Sequence, residues 1–424
     1  MRKSIFLLLA TLSYCIVNAQ VNDINRYMSM HELDSCKSET GVIFNTFAAS
    51  NSINNKFVNS LLNNQFIDND LKRSNNIKEN NYFGSEDIIG AYFIHLPDSF
   101  LNTNTFGYRI SFENYNHRDM KFSDDFYNLV FYGNKQYAGN EADLSGFSSS
   151  MIKLQKFQFG IFKKSTMLTS KFTYYVGLSL IKGQSDHFIR FYDPTSLYTA
   201  ETGEYIDFQV LMNYFGTDTV RSKFTDIKGI GGAANVFFAW ENTSTDLTVS
   251  LSMNYMGLLR WFDNSFTIHL DSTYHYEGME IEDILNLGEA TFSSDMDMDS
   301  ITEEFFNEAD TSGFTRILPE RMNLQVSKGF NDNILITAGA TYLINANHPL
   351  PVFYAVSDIY YNKKVAYYLS VAYGGYSNFQ FGLGLSAKLF KQYKLRLGSS
   401  NMLGMFLPEQ YYCQNAYLSL SYNF

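Results

Sequence analysis

The fold class is decided by the last nine residues of the chain, which read Ala416, Tyr417, Leu418, Ser419, Leu420, Ser421, Tyr422, Asn423 and Phe424. Apolar side chains occupy the even positions, and polar or small ones occupy the odd positions apart from Tyr417. This period of two is typical of a strand with one apolar and one polar face. A final aromatic on such a strand favours a transmembrane barrel, whose outer face meets lipid and whose inner face meets water.

The N-terminus has the pattern of an export signal. Arg2 and Lys3 precede an apolar run from Ile5 to Val17, and small or tolerated residues follow at the cleavage positions. We therefore predict a signal peptide over residues 1–19. Beyond it, no apolar stretch approaches the ~18 uninterrupted residues that a membrane helix requires. An exported chain of this kind is either a soluble protein or a barrel of the cell outer membrane.

The same alternation recurs along the chain in long runs. Its apolar rows include Phe106 to Phe112, Phe172 to Leu180, Leu247 to Tyr255 and Phe379 to Leu389. Most of these runs are about nine to twelve residues long, which matches tilted membrane strands, whereas sandwich strands are commonly five or six residues long. The sequence thus predicts an all-β fold, a single transmembrane antiparallel β-barrel of about fourteen strands (12–16). A soluble periplasmic sandwich is the alternative.

The predicted organisation has three parts and one long insertion. A polar N-terminal segment includes a first strand near Gly41–Ser50 and an amphipathic helix over Ile53–Phe66, interpreted either as an ordinary packed helix or as a hatch at the barrel mouth. The parts are the signal peptide (1–19), this N-terminal segment (20–81) and the barrel (82–424), with a long acidic insertion at 277–318.

Net charge argues against nucleic acid as a partner. The formal charge is −11, and loss of Arg2 and Lys3 with the signal lowers it by two to −13. The insertion holds twelve Asp or Glu residues, and Asp295, Asp297 and Asp299 alternate as in a calcium loop. The turn glycine and the bidentate glutamate of such a loop are missing there, so we interpret the insertion as a solvated acidic loop.

No catalytic or metal-binding motif is present in the sequence. His269 and His275 would lie ~20 Å apart on one strand, too far to share a metal. Cys36 and Cys413 remain after the signal and form either one disulfide or two unpaired thiols. We therefore predict a protein that is not an enzyme and has no cofactor.

The alternation also predicts which side chains face the lumen. These candidates are Arg109, Glu113, Lys388, Lys394 and Arg396. They either form structural ion pairs inside a plugged barrel or make a basic constriction that selects anionic solutes.

The outward residues of the last strand are candidates for a C-terminal assembly signal, read by the barrel-assembly machinery. They are Leu418, Leu420, Tyr422 and Phe424. The other expected partners are outer-membrane lipid and a small hydrophobic ligand.

The tract Phe314–Leu324, with Leu-Pro before a strand, resembles an entry pattern in a family of uncharacterised Bacteroidota outer-membrane barrels. The Gly-rich strand Gln380–Lys388 and the terminal Phe424 follow in the expected order. The early segment departs from the Asn-Pro-Ala tract of that family. The resemblance implies a signal peptide, an outer-membrane barrel and no assigned activity. The family is distantly similar to the fourteen-stranded fatty-acid transporters and to the barrel of the type IX secretion shuttle.

Two functions are compatible with these features. In the first, the barrel passes or binds a hydrophobic or amphipathic small molecule, with the N-terminal helix as its hatch. In the second, a plugged barrel does not transport and presents its loops to a partner as a surface scaffold. The two differ in whether the lumen is lined by an apolar pocket or filled by the protein's own side chains.

Overall fold

The computed structural model describes residues 27–33, 38–98, 105–217, 223–277, 310–331, 333–347, 350–362, 364–390 and 392–424. The predicted signal peptide, Cys36, the calcium-like alternation and most of the acidic insertion lie outside these residues.

Fourteen antiparallel strands form a closed barrel, as the sequence predicts. In their order around the barrel, with strands numbered along the chain, they are β1 (Ser38–Ser50), β2 (Asn81–His95), β3 (Phe106–Phe122), β5 (Ser148–Met167), β6 (Ser170–Phe191), β9 (Gly229–Asn242), β10 (Leu247–Trp261), β13 (Glu320–Asn331), β14 (Ile334–Ile344), β15 (Val352–Asn362), β16 (Val365–Gly374), β17 (Ser377–Leu389), β18 (Tyr393–Ser399) and β19 (Cys413–Asn423). β1 pairs with both β2 and β19, which closes the barrel. The barrel therefore starts at Ser38, ahead of the boundary at residue 82 that the sequence pattern suggested.

Within the described residues, five further strands extend the sheet at one end of the barrel. They are β4 (Asn140–Asp143), β7 (Ser196–Thr199), β8 (Tyr205–Thr217), β11 (Ser265–Glu277) and β12 (Thr315–Ile317). β8 pairs with the last residues of β6, β11 pairs with β8, and β12 pairs with β10. The wall on this side therefore continues beyond the barrel proper.

The two ends of the barrel differ in the length of their connections. At one end, residues 168–169 join β5 to β6, and residues 243–246 join β9 to β10. At the other end, the connections that follow β1, β3, β6 and β10 are long, and they carry helices or the additional strands. Outer-membrane barrels have short periplasmic turns and long extracellular loops, so the second end is extracellular. Residues 345–347, which follow β14, lie at this same end.

Apolar and polar side chains alternate between the two faces of the wall. On β6 the outward Val176, Leu178 and Leu180 are 58%, 70% and 59% exposed, whereas the inward Thr173 and Tyr175 are buried. Outward apolar rows also occur on neighbouring and opposite strands, as at Phe157, Phe159, Leu324, Val326, Leu369 and Val371. An apolar outer wall around a closed barrel is the surface that lipid covers in an outer-membrane protein.

The last strand follows the same alternation. Leu420 and Phe424 are 39% and 55% exposed on the outer face, and Tyr417 and Ser421 are buried on the inner face. Leu418 and Tyr422 share the outward row with them. All four candidates for the assembly signal therefore lie on the outside of the barrel.

The run Leu247–Tyr255 departs from the predicted alternation at its end. A β-bulge shifts the register between Met253 and Met256, and Tyr255 has a φ of +63°. The extra residue turns Tyr255 inward, where it is 4% exposed, while Leu247 to Met253 keep the predicted orientation. The expectation that Tyr255 shares their face is therefore wrong.

Short helices lie at both ends of the barrel. They are α1 (Met28–Glu32), α2 (Asn55–Leu62), α3 (Asn69–Arg73), α4 (Asp124–Tyr132) and α5 (Leu403–Phe406), with a 3₁₀ turn at Asn134–Tyr137. Within the part of the chain described, no helix has the length and apolar character needed to cross a membrane.

The predicted helix over Ile53–Phe66 is shorter in the structure. The side chain of Asn54 caps α2 by accepting a hydrogen bond from the Phe57 amide, and the helix ends at Leu62. Asn55 Nδ2 donates to the carbonyl oxygens of Gly404 and Cys413 at 3.1 and 2.9 Å. These contacts hold α2 at the extracellular rim.

Candidate functional site

A second N-terminal segment, residues 27–33 with α1, lies inside the barrel near its periplasmic end. Tyr27, Met30 and Leu33 are at most 3% exposed there. The Tyr27 ring lies 5.5 Å from that of Tyr175 on β6 and 5.9 Å from that of Phe237 on β9. Because rings from α1 and two barrel strands meet at this point, the segment fills part of the lumen.

Polar contacts also hold α1 in place. His31 Nδ1 lies 2.9 Å from Thr173 Oγ1, and His31 Nε2 lies 2.9 Å from Glu241 Oε2. The Lys164 ammonium donates to the His31 carbonyl oxygen at 2.8 Å. Burial lowers the pKa of the His31 imidazole below its usual value, and this outweighs the opposing effect of the Glu241 carboxylate.

An ion pair connects α1 to the far wall. Glu32 Oε2 lies 3.7 Å from Lys394 Nζ on β18, whereas His31 on the same helix contacts β6 and β9. The barrel order places β18 near the side opposite those two strands. Residues 27–33 thus bridge the periplasmic part of the lumen, the plugging role that the sequence analysis gave as one of two interpretations of α2.

Deeper in the lumen, a charged cluster joins β3, β5 and β10. Lys156 Nζ lies 2.8 Å from Glu113 Oε2, and the Tyr255 hydroxyl donates to the same oxygen at 2.8 Å. The Lys156 ammonium also lies 4.0 Å from the centre of the Tyr255 ring. Lys156 and Glu113 are nearly inaccessible to solvent, so contacts with other protein groups, rather than with water, stabilise the pair.

A second buried pair lies nearer the extracellular end. Arg321 Nη2 on β13 donates to Glu86 Oε2 on β2 at 2.6 Å. The Tyr115 hydroxyl donates to the same carboxylate oxygen at 3.0 Å, and its ring lies 5.0 Å from that of Tyr255. The two clusters are therefore continuous and extend across the barrel.

Above these clusters, among residues at the extracellular ends of the strands, is a cavity of about 510 Å³. Its apolar lining includes Phe188, Phe215, Phe314, Ile152, Ile317 and Pro319. Its polar lining includes Arg190, Arg316, His117, Asp119, Ser150 and Asn347. The cavity combines aromatic surface with two guanidinium groups, a combination that suits a molecule with an apolar body and a polar end.

Arg316 fixes the segment 310–319 against the cavity wall. Its guanidinium donates to Asp186, which is inaccessible to solvent, and to Ser150 Oγ at 2.6 Å. It also lies 5.1 Å from the centre of the Phe188 ring. The neighbouring Phe314 packs 5.6 Å from the Phe215 ring, so the aromatic lining is held by both charge and packing.

The lumen candidates named from the sequence lie on two separate walls. On β3, Arg109 donates to Gln158 Oε1 at 3.3 Å and lies 5.0 Å from the Tyr27 ring centre, and Glu113 belongs to the cluster above. On β18, Arg396 lies 3.4 Å from Asp358 Oδ1, and Lys394 contacts Glu32. Lys388 is paired with Lys394 in the register of β17 and β18 and is exposed.

The alternation pattern did not predict several residues of the site. They are Glu86, Lys156, Asp186, Arg316 and Arg321. Arg316 and Arg321 do lie within the Phe314–Leu324 tract, where two arginines flank Leu-Pro. That tract is the signal that could have indicated them, but only the fold shows their partners.

The described residues contain no group of three His, Cys, Asp or Glu side chains arranged to hold a metal. His269 Nδ1 lies 2.7 Å from Asn213 Oδ1, and His275 Nδ1 lies 2.5 Å from Asp207 Oδ1. Cys413 is buried as a free thiol. Each of the two histidines thus contacts a neighbouring side chain, and Cys413 lies in the protein interior.

The sequence matches the model of a family of unknown function, DUF5723, over residues 36–394. The chain belongs to this family. Among curated proteins, none matches this DUF5723 chain.

Among solved structures, the chain is similar to a mutant of the TodX monoaromatic hydrocarbon channel (9% identity, 96% of each chain covered, TM-score 0.48). It is also similar to a Pseudomonas aeruginosa FadL homologue (8% identity, 92% of this chain and 90% of that chain, TM-score 0.45). The Ralstonia pickettii toluene transporter TbuX gives the same identity, coverage and TM-score as the FadL homologue.

Proposed function

We propose that this DUF5723 protein binds a small amphipathic molecule in its extracellular cavity as the first step of uptake. The observation that carries the proposal is the lining of the cavity, where Phe188, Phe215 and Phe314 face the same space as Arg190 and Arg316. A volume of about 510 Å³ lies within the range of small-molecule sites. The aromatic rings would contact the apolar body of the ligand, and the guanidinium groups would bind an anionic end.

The two charged clusters below the cavity would obstruct the path of a bound ligand through the lumen. Glu86 with Arg321, and Glu113 with Lys156 and Tyr255, join opposite parts of the wall beneath the cavity. Residues 27–33 occupy the lumen further down. Passage of the ligand would therefore require these contacts to separate, and we propose that the described conformation is a closed, ligand-accepting state. No catalytic step is part of this proposal.

Native mass spectrometry of the detergent-solubilised barrel tests the binding step. The probes are dodecanoate and dodecanol, which share an apolar chain and differ in charge. We expect saturable binding of one molecule, with dodecanoate bound more tightly because Arg190 and Arg316 favour an anion. Phe314→Ala should weaken binding roughly tenfold by removing apolar contact, and Phe353→Ala, on the lipid-facing wall, should not.

Tryptophan fluorescence gives an independent readout. Trp261 lies 6.3 Å from the Phe314 ring, and the only other tryptophan is Trp240. In a Trp240→Phe background, dodecanoate should shift the emission of Trp261 with the same affinity as in the mass spectra. Non-saturable binding, or equal affinity of the Phe314→Ala variant, would count against the cavity as the site.

A second candidate function is supported by an exposed apolar surface on α2, on the connection that follows it and on α4. Leu61, Leu62 and Phe66 are 54%, 58% and 90% exposed, and Val130 on α4 is 57% exposed. Such exposed apolar side chains mark partner-binding sites in many proteins. A photo-crosslinking residue at Phe66 on intact cells should then give one adduct of defined mass, which Leu62→Ser abolishes.

A further inference from the structure

At its extracellular end, the outer wall formed by β5, β6, β9 and β10 changes from apolar to basic side chains. On β6 the outward row runs through Val176, Leu178 and Leu180, all apolar and exposed, and then reaches Lys182. On β10 the outward Leu258 is followed two residues later by Arg260. Lys153 on β5 and Lys228 just before β9 also lie here. We call Lys153, Lys182, Lys228 and Arg260 the rim patch.

We infer that the rim patch binds the phosphate groups of a phosphorylated lipid in the outer leaflet. This surface lies on the outside of the barrel, separate from the cavity, so the inference does not rest on the proposed function. Guanidinium and ammonium groups form charge-assisted hydrogen bonds with phosphate oxygens. Four such groups on neighbouring strands give a surface of the correct sign for a lipid that carries two phosphates.

The height of the patch along the barrel places it at the level of the lipid headgroups. Lys182 follows Phe172, the first outward aromatic of β6, by ten residues. At ~3.3 Å per residue and a strand tilt of ~40°, that is a rise of about 25 Å, equal to the height of the apolar band of such barrels. Lys182 therefore lies where hydrocarbon ends and headgroups begin on the extracellular side.

The sheet register brings the members of the patch close together. Lys182 is paired with Gln155 on β5 and with Ile230 on β9, and Ile230 is paired with Arg260 on β10. Neighbouring strands lie ~4.8 Å apart, so the Cα atoms of Lys182 and Arg260 are separated by about 10 Å. Long flexible side chains at that spacing can reach phosphates of one headgroup.

The connection before β9 turns down over the outer wall and holds Lys182 in place. The Lys182 ammonium donates to the Phe224 carbonyl oxygen at 2.8 Å and to Gln155 Oε1 at 3.1 Å. The Phe224 ring is 64% exposed and lies 6.3 Å from the ring of Phe112, an outward residue of β3. Phe224 thus faces lipid beside the ammonium, which fixes the charge at the boundary.

The opposite side of the rim has outward side chains of a different kind. At the extracellular ends of β14 to β17 the outward side chains are aromatic, namely Tyr342, Phe353, Tyr373 and Phe379. Aromatic residues are the usual boundary residues of membrane barrels. Two acidic side chains accompany the patch: Asp226 accepts from the Lys223 amide at 2.7 Å, and exposed Asp263 lies 3.9 Å from Arg260. The basic groups outnumber them, so the patch stays positive.

Native mass spectrometry of the purified full-length barrel in detergent tests the inference. The probes are lipid A with two phosphates, the same lipid after enzymatic dephosphorylation, and inorganic phosphate as a competitor. We expect lipid A to bind, the dephosphorylated lipid to bind at least tenfold more weakly, and millimolar phosphate not to displace lipid A. The variant Lys182→Gln/Arg260→Gln should bind lipid A roughly tenfold more weakly, since each charge near an anionic surface contributes to binding.

Two controls separate a site from a general charge effect. Lys163 is an outward lysine on the same strand as Lys153 but at the periplasmic end, and Lys163→Gln should leave lipid A binding unchanged. Lys182→Arg keeps the charge and should retain binding. Heat-dependent mobility on gels reports whether each variant is folded. Equal binding of dephosphorylated lipid, displacement by inorganic phosphate, or equal loss in Lys163→Gln would each overturn the inference.

Discussion

Arg321 on β13 places its Nη2 atom 2.6 Å from Oε2 of Glu86 on β2, although the barrel order puts β3, β5, β6, β9 and β10 between the two strands. In a barrel of fourteen strands this contact joins nearly opposite walls. Glu86 is inaccessible to solvent and also accepts from the Tyr115 hydroxyl. An ion pair therefore spans the lumen at this level, beneath the extracellular cavity.

Arg321→Met should destabilise the barrel by about 3–5 kcal/mol, because it leaves the Glu86 carboxylate buried without its cation. Urea titration of the barrel in phospholipid vesicles gives this free energy of unfolding. The double variant Glu86→Gln/Arg321→Met should recover part of the loss, since no uncompensated charge remains. Lys388→Met, at an exposed lumen position, is the control with little expected effect. Equal stability of Arg321→Met and the native chain would contradict the bridging role.

Tyr255→Phe tests the hydrogen bond that the β10 bulge makes possible. The substitution removes the hydroxyl that donates to Glu113 at 2.8 Å and keeps the ring. We expect a loss of about 1.5–3 kcal/mol, typical of a hydrogen bond to a charged group. Tyr367→Phe is the matched control, because Tyr367 is 52% exposed on the lipid-facing side. Similar free energies of unfolding for the two variants would show that the Tyr255 hydroxyl does not stabilise the cluster.

Docking of α1 should depend on pH through His31. Burial lowers the pKa of the docked imidazole, so the undocked segment binds more protons than the docked one. Docking is then fully stable above the pKa of a free imidazole, about 6.5, and weakens as the pH falls below it. Hydrogen exchange of the amides of residues 28–33, corrected for intrinsic rates, should show less protection at low pH than at neutral pH.

The variant His31→Gln supplies the comparison for that experiment. It keeps a polar side chain but cannot titrate, so the difference in protection between the two pH values should disappear. A pH dependence of the same size in His31→Gln would assign the effect to another group.

Leu178→Arg tests the lipid-facing assignment of the outer wall. Leu178 is 70% exposed and lies in the middle of the apolar row of β6. An arginine at the bilayer midplane costs about 2–4 kcal/mol, which vesicle-based unfolding measures. Leu168→Arg, in the short periplasmic turn at 95% exposure, should cost little. Equal stability of both variants would contradict a bilayer around this wall.

The predicted alternation was accurate wherever the strands are regular, as on β3 and β6. It was wrong at Tyr255, because a bulge inserts one residue and reverses the face of the side chain. An amphipathic pattern likewise identified α2 as a helix, but the same pattern suits a helix at the rim or in the lumen. The helix that occupies the lumen, α1, is only five residues long and has no periodic signal.

Which side of a regular strand meets lipid was determined by the sequence alone, because side chains of an extended chain alternate between two faces and the apolar face must be covered. Which charges meet inside the barrel was decided only by the tertiary structure. Glu86 and Arg321 are 235 residues apart in the chain, and their contact depends on the strand order and on barrel closure. A local pattern carries no information on either, so closure of the lumen and the shape of the cavity emerge only from the folded barrel.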